Sequence, residues 1–163
     1  MAMITMTEVD PFIDSTDLLN TPEELRDRAK EEGYLFFKNL LDTKPLLTLR
    51  RQILEICQTH GWLQEGTHLM EGIAHPDVLI TESRDPAWQA FYCDIQKCHD
   101  FHTLALNPAI LYMLETVFGE SVLPHPRNIL RVMFPNSERF STPPHQDNYY
   151  IGGSKDTWTV WFP

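Results

Sequence analysis

The order of the predicted elements indicates an α+β fold, in which helices pack on one side of an antiparallel sheet. The first three quarters of the 163-residue chain show apolar residues at helical spacing and one early strand. The last quarter instead contains strand-like apolar runs separated by turn signals. Helices followed by strands are typical of α+β proteins. The 42% hydrophobic content is sufficient for a core, and the length suits a single domain.

The first two helices are predicted by their end signals and by the spacing of their apolar residues. Residues 1–20 are an acidic, weakly structured lead-in, after which Thr21-Pro22-Glu23-Glu24 can form a capping box. Gly33 suits the end of this first helix. The second helix spans about 43–60, and its apolar residues fall on one face: Leu46, Leu49, Ile53, Ile56 and Cys57.

Two more helices begin with a capping residue followed by proline. Asp85-Pro86 begins a third helix that should extend to about Leu106, and Asn107-Pro108 begins a fourth that ends at Gly119. The segment 61–84 between the second and third helices is irregular.

Four segments are predicted to be extended. An aromatic run at 34–37 is typical of a short strand, and 128–134 is a strand that Pro135 ends. Residues 145–151 are extended, and a glycine-rich turn then leads into a strong strand at 157–162.

Charge and cysteine content exclude several classes of function. The formal net charge of -10 disfavours a nucleic-acid partner and binding to an anionic membrane. Three cysteines are too few, and odd in number, for a disulfide framework, which favours a reducing compartment. The sequence shows neither a signal peptide nor an apolar run of about 18 residues. We therefore expect a soluble, cytoplasmic protein.

His145 and Asp147 form the clearest candidate site. On an extended strand, residues two apart point to the same face, so an imidazole and a carboxylate can converge on one metal ion. Two imidazoles and one carboxylate form the facial triad of non-haem iron(II) oxygenases. From spacing alone, an ordinary hydrogen bond in a loop is the commoner explanation of such a tripeptide.

The context of this motif narrows its interpretation. The last quarter of the sequence has a fixed order of features: a strand, a proline-ended loop, His145-Gln146-Asp147, Tyr150, a glycine-rich turn and a strand that carries Trp161. Upstream, the segment 32–41 contains a glycine, an apolar strand and an apolar pair before a long helix. Over about 21–163 the chain thus resembles the phytanoyl-CoA dioxygenase family of iron(II)/2-oxoglutarate oxygenases.

The resemblance implies a fold, a cofactor and a reaction. The fold is a double-stranded β-helix of the jelly-roll or cupin-like kind, on which N-terminal helices pack, with His145 and Asp147 as ligands of Fe(II). The cosubstrate 2-oxoglutarate chelates the metal and is decarboxylated to succinate and CO2, while O2 hydroxylates a small organic substrate. An aspartate at Asp147, rather than a small residue, favours hydroxylation over halogenation.

The resemblance also implies residues that border the substrate or cosubstrate pocket. These include Gln146, Tyr150 and Trp161. In the preceding strand, the register from Pro135 directs Asn128, Leu130 and Val132 inward, with Asn128 as the polar candidate for binding. Leu130 and Val132 are explained equally well as ordinary core residues.

The sequence departs from the family pattern after Asp147. The family has a second histidine on a late strand and then an arginine that pairs with the distal carboxylate of 2-oxoglutarate. Residues 148–163 contain neither residue type, and Lys155 does not easily replace a bidentate guanidinium. Three late strands also cannot close a jelly roll of about eight. We therefore expect that the sequence is a fragment, or that another segment completes the sheet.

Three alternatives remain open. The chain can be a non-catalytic or truncated relative that keeps the fold as a binding or assembly module. It can also be a cupin-like metal enzyme, such as an isomerase, that does not use 2-oxoglutarate. Finally, His99 and His102 share a helix face near Cys93 and Cys98, although this set matches no standard zinc spacing.

Overall fold

The computed structural model describes residues 10–80, 84–134, 144–154 and 156–163. The α-helices in these ranges are α1 (Pro22–Glu32), α2 (Thr43–Thr59), α3 (Pro86–Ile95), α4 (His99–Thr103), α5 (Pro108–Phe118) and α6 (Asp147–Ile151). Short 3-10 helices occur at Thr16–Leu18, Leu69–Glu71 and Leu104–Leu106. Isolated bridges join Asp14 to Phe36 and Leu63 to Ala74, and no longer strand is assigned in the described ranges.

Helices α1, α2 and α5 confirm the predicted positions of three helices. At the start of α5, the side chain of Asn107 accepts a hydrogen bond of 2.9 Å from the backbone N–H of Ala109. The capping box predicted at Thr21 is wrong, because its side chain makes no cap hydrogen bond. Its hydroxyl instead donates to the carbonyl of Leu18 at 3.2 Å, at the end of the preceding 3-10 helix.

The third predicted helix is divided in two. Asp85 caps α3 as expected, but α3 ends at Ile95, and Cys98 has an extended backbone before α4 begins. Ile95 is 0% and Phe101 7% exposed. On one continuous helix of about 3.6 residues per turn, residues six apart point about 120° away from each other and so not to the same side. The interruption therefore allows both side chains to be buried.

The chain divides into two compact units. The first contains the described part of Met1–Thr43 together with Asn107–Leu123. In it, Leu25 of α1 and Ile110 of α5 are 0% and 2% exposed. Residues 14–18 belong to this packing rather than to a loose lead-in, because Ser15 is 1% exposed and its N–H donates to the carbonyl of Phe36 at 2.8 Å.

The second unit, Lys44–Leu106 with Pro124–Pro163, contains the aromatic core of the chain. We call its buried residues the core cluster: Leu49, Cys57, Trp62, Ile80, Trp88, Phe91, Ile95 and Phe101. The ring centroids of Phe91 and Trp62 lie 4.3 Å apart. In α3, Trp88, Phe91 and Ile95 recur at the helical spacing that places them on one face.

The predicted extended segments have different outcomes. In the run at 34–37, Phe36 forms an isolated bridge with Asp14. In 128–134, exposed and partly buried residues alternate, and Leu130, Val132 and Phe134 pack against the core cluster. This alternation confirms the inward register, although the described residues pair this segment with no other strand.

The prediction that 145–151 is extended is wrong, because α6 occupies Asp147–Ile151. The segment 157–162 is not assigned as a strand. Pro135, predicted to end the strand at 128–134, and Lys155 lie outside the described residues. In the part of the chain that is described, no helix is long and apolar enough to cross a membrane.

Candidate metal centre

The start of helix α6 places His145 and Asp147. Gln146 is the N-cap residue with extended backbone angles, φ -108° and ψ 118°, and Asp147 is the first helical residue. A carboxylate in the first turn is favoured there because the N-terminus of a helix carries a partial positive charge. The two candidate ligands are thus held by a short turn into a helix rather than by a strand.

The imidazole and the carboxylate nevertheless converge. Nε2 of His145 lies 3.1 Å from Oδ1 of Asp147, and the two side chains are 28% and 29% exposed. Because an ionised carboxylate can only accept, the ring N–H is the donor of this hydrogen bond. The other carboxylate oxygen, Oδ2, accepts a hydrogen bond of 2.7 Å from the hydroxyl of Thr159.

The distance between the two candidate ligand atoms suits a metal ion. First-row divalent metals bind imidazole nitrogen and carboxylate oxygen at about 2.0–2.2 Å, so that ligands at right angles lie about 3 Å apart. His145 and Asp147 meet this requirement. Within the described ranges, no group of three or more His, Cys, Asp or Glu side chains could hold a metal ion. The separation of 3.1 Å is also that of an ordinary hydrogen bond, and the pair supplies at most two ligands of a metal ion.

Aromatic residues predicted near the site lie on an exposed surface. The ring of Tyr150 meets the imidazole of His145 edge-on, with centroids 5.8 Å apart and an interplanar angle of 75°. Tyr150 is 68% and Trp161 69% exposed, and Gln146 is also exposed. Of these three, only Tyr150 has a contact with either candidate ligand among those described.

Asn128 and Leu130 are tied to the helices. The side-chain amide of Asn128 donates to the carbonyl of His102 at 3.5 Å. The hydroxyl of Tyr92 donates to the carbonyl of Asn128 at 3.5 Å and accepts from the N–H of Leu130 at 3.4 Å. Leu130 also packs against the core cluster. The described contacts of both residues thus involve α3 and α4 rather than His145 or Asp147.

The histidines and cysteines considered for zinc bind other partners. The ring of His102 is 3.0 Å from the carbonyl of Gln96, and His99 lies 3.6 Å from Asp100. The thiol of Cys98 donates to the amide oxygen of Gln52 at 3.0 Å. Cys93 is exposed.

A charged cluster at the end of α3 is absent from the sequence-based predictions. Asp94 accepts from Lys97 at 2.7 Å and lies 2.9 Å from the ring of His60. The hydrogen bond from Lys97, followed by that from His60, lowers the pKa of Asp94. The contact between Asp94 and Lys97 could be predicted, because residues three apart are neighbours on a helix. The contact with His60 could not, because His60 directly follows α2, far from Asp94 in the sequence. A shallow cavity of about 310 Å³ lies beside this cluster.

The contact between Thr159 and Asp147 was also missed. The two residues are 12 positions apart along the chain, and no periodic pattern relates them. Beyond α6, the hydroxyl of Thr157 donates to the carbonyl of Ser154 at 3.0 Å. Only the folded structure shows that Thr159 lies beside the first residue of α6.

Two curated relatives match most of this chain. The 1-deoxypentalenic acid 11-beta-hydroxylase of Streptomyces arenae is 31% identical over 156 residues, which cover 93% of this chain and 52% of the relative. The protein of the same name from Streptomyces exfoliatus is 30% identical over 157 residues, with the same coverage. The chain thus spans about half the length of the curated relatives it matches. No protein-family model matches it, and no solved structure does.

Proposed function

We propose that the chain contributes His145 and Asp147 to the iron site of an Fe(II)/2-oxoglutarate-dependent hydroxylase of the phytanoyl-CoA dioxygenase type. The observation that carries the proposal is the 3.1 Å separation between Nε2 of His145 and Oδ1 of Asp147. That separation suits two neighbouring ligands of one octahedral metal ion. The jelly-roll core implied by the same resemblance is part of the proposal.

The similarity to named hydroxylases supports the reaction class. Both relatives are named for hydroxylation of 1-deoxypentalenic acid, at about 30% identity to this chain. We carry over to this chain the hydroxylation of a small organic substrate, and not the identity of that substrate. In the proposed reaction, substrate, O2 and 2-oxoglutarate give hydroxylated substrate, succinate and CO2.

The residues of the chain have distinct roles in this proposal. Bound Fe(II) supplies open coordination positions for O2 and 2-oxoglutarate. Nε2 of His145 and Oδ1 of Asp147 would hold the metal, with the proton absent from Nε2. By the same resemblance, Gln146, Tyr150, Trp161, Asn128 and Leu130 would border the reaction pocket.

Two further elements are required for catalysis. The proposal needs a third protein ligand and a cationic clamp for the distal carboxylate of 2-oxoglutarate, and residues 148–163 contain neither histidine nor arginine. The alternative candidate is a non-catalytic relative that uses the fold for binding. Metal binding and turnover distinguish the two candidates.

The first measurement is binding of Co(II), used as an oxygen-stable probe for Fe(II), by calorimetry. His145→Ala and Asp147→Ala should each weaken binding by at least tenfold, because each removes a ligand. His125→Ala is the matched control, since His125 is an exposed histidine outside the His145–Asp147 pair. Equal affinity in all variants would remove the pair from any metal site.

The second measurement is succinate formation from 2-oxoglutarate with Fe(II) under air. Turnover that depends on His145 supports the hydroxylase. Metal binding through the pair without any turnover would mean that this chain by itself binds the metal but does not supply the hydroxylase activity.

A further inference from the structure

The two oxygens of the Asp147 carboxylate have different partners. Oδ1 lies 3.1 Å from Nε2 of His145, whereas Oδ2 accepts a short hydrogen bond of 2.7 Å from the hydroxyl of Thr159. One oxygen therefore faces the other candidate ligand, and the second is occupied by a neutral donor. The carboxylate is held from both sides.

A backbone turn brings Thr159 to this position. Gly153 has a φ of +118°, a conformation that residues with a side chain rarely adopt. A Cβ added there would lie 2.7 Å from the hydroxyl oxygen of Thr157, so the turn has no room for one. Position 153 thus disfavours any residue with a side chain, and Thr159, farther along the chain, contacts the first residue of α6.

The arrangement has a consequence for metal binding. A carboxylate can bind a metal through one oxygen or through both, and a hydrogen bond to one oxygen favours binding through the other. Groups that orient metal ligands in this way are commonly worth about 10–100-fold in metal affinity. The hydroxyl of Thr159 also fixes the side-chain rotamer of Asp147 before the metal arrives.

We infer that Thr159 is the positioning residue for Asp147: its hydroxyl occupies Oδ2 and leaves Oδ1, beside Nε2 of His145, as the single oxygen that binds the metal. This inference rests on the proposed function, because it requires that Asp147 be a metal ligand. It adds a residue that does not itself touch the metal and that controls the coordination mode of one that does.

The test compares Co(II) binding in Thr159→Val and Thr159→Ser. Valine keeps the shape of the side chain and removes the hydroxyl, so affinity should fall by about 10-fold or more. Serine keeps the donor and should stay within about threefold of the parent chain. Thr48→Val is the matched control, because the hydroxyl of Thr48 donates to the carbonyl of Lys44 within α2.

A spectroscopic measurement separates positioning from a general structural effect. Infrared spectra of chain labelled with 13C-aspartate report the splitting of the carboxylate stretches on Co(II) binding. Binding through one oxygen gives a wide splitting, and binding through both gives a narrow one. The parent chain and Thr159→Ser should show the wide splitting, and Thr159→Val the narrow one.

The outcomes distinguish the inference from the proposed function. If His145→Ala and Asp147→Ala weaken Co(II) binding but Thr159→Val leaves affinity and splitting unchanged, the inference alone is overturned. If none of the three substitutions changes binding, the proposed function fails as well. A loss in Thr159→Val that Thr159→Ser does not share supports the positioning role.

Discussion

The core cluster and the segment around α6 are built in contrasting ways. Residues of the core cluster are between 0% and 8% exposed, and their rings contact one another directly. The side chains of His145 and Asp147 are 28% and 29% exposed, and the described residues 144–154 and 156–163 include none classed as buried. Burial therefore fixes the position of α3, whereas a few hydrogen bonds fix the candidate ligands.

Because of this difference, substitutions in the two regions of the second unit should affect different properties. Removal of buried apolar surface costs free energy of folding in proportion to its area. Loss of an exposed hydrogen bond costs little stability but changes the direction in which a ligand atom points. Substitutions in the core cluster should thus act on unfolding, and those near α6 on metal binding.

The largest expected effect is that of Phe91→Ala. Phe91 is 0% exposed and contacts the rings of Trp62 and Trp88. Truncation leaves a cavity, so the free energy of unfolding should fall by about 3–5 kcal/mol. Urea denaturation followed by far-UV circular dichroism measures this change.

The matched control for Phe91 is Tyr149→Ala, beside the candidate site. Tyr149 is 84% exposed, so its truncation should change the stability by no more than about 0.5 kcal/mol. A comparable loss of unfolding free energy in the two variants would mean that α6 is part of a buried core, which would contradict the difference between the two regions.

A smaller effect is expected for Asp85→Ala. The side chain of Asp85 accepts a hydrogen bond of 2.8 Å from the N–H of Ala87 and so caps the helix that carries Phe91. Its loss should destabilise the chain by about 1 kcal/mol in the same urea measurement. Asp156→Ala, an exposed aspartate beyond α6, is the control and should be near neutral.

The smallest effect is expected for Lys97→Met at the edge of the core. Because Lys97 is the largest cause of the lowered pKa of Asp94, that pKa should rise toward its ordinary value in the variant. A lowered folded pKa contributes stability at pH values above the unfolded pKa, and this is lost as pH falls through the folded pKa. The variant should therefore show a shallower loss of stability in acid.

An NMR titration of the Asp94 carboxyl checks this change. Lys30→Met is the control, because Lys30 forms a similar exposed pair with Asp27 at 3.5 Å. An unchanged titration of Asp94 in Lys97→Met would show that His60 alone holds the carboxylate.

Helix positions could be predicted because their signals are local. Proline after a capping residue places the starts of α3 and α5, and glycine places the end of α5. The interruption at 96–98 could not be predicted, since it depends on burying Ile95 and Phe101 together. The prediction of a capping box at Thr21 was wrong, because the hydroxyl of Thr21 donates to the carbonyl of Leu18 in the preceding 3-10 helix.

The candidate site could be predicted only in part. The sequence identified His145 and Asp147, and the structure brings their ligand atoms together, but through a helix start instead of a strand. Inward positions at Leu130 and Val132 followed from period-two alternation, which is a local property. Whether Asn128, Gln146 and Trp161 border a pocket stays a prediction.

By itself, the sequence determined the positions of α1, α2 and α5, the start of α3 and which residues of these helices are apolar. Each of these depends on neighbours within about one or two helical turns, whereas the choice of His145 and Asp147 as candidate ligands came from the resemblance over about 21–163. Only the tertiary structure decided that α3 and α4 separate, that His60 joins Asp94, and that Thr159 meets Asp147. These contacts join residues far apart in the chain, and the path of the intervening backbone decides whether such residues meet.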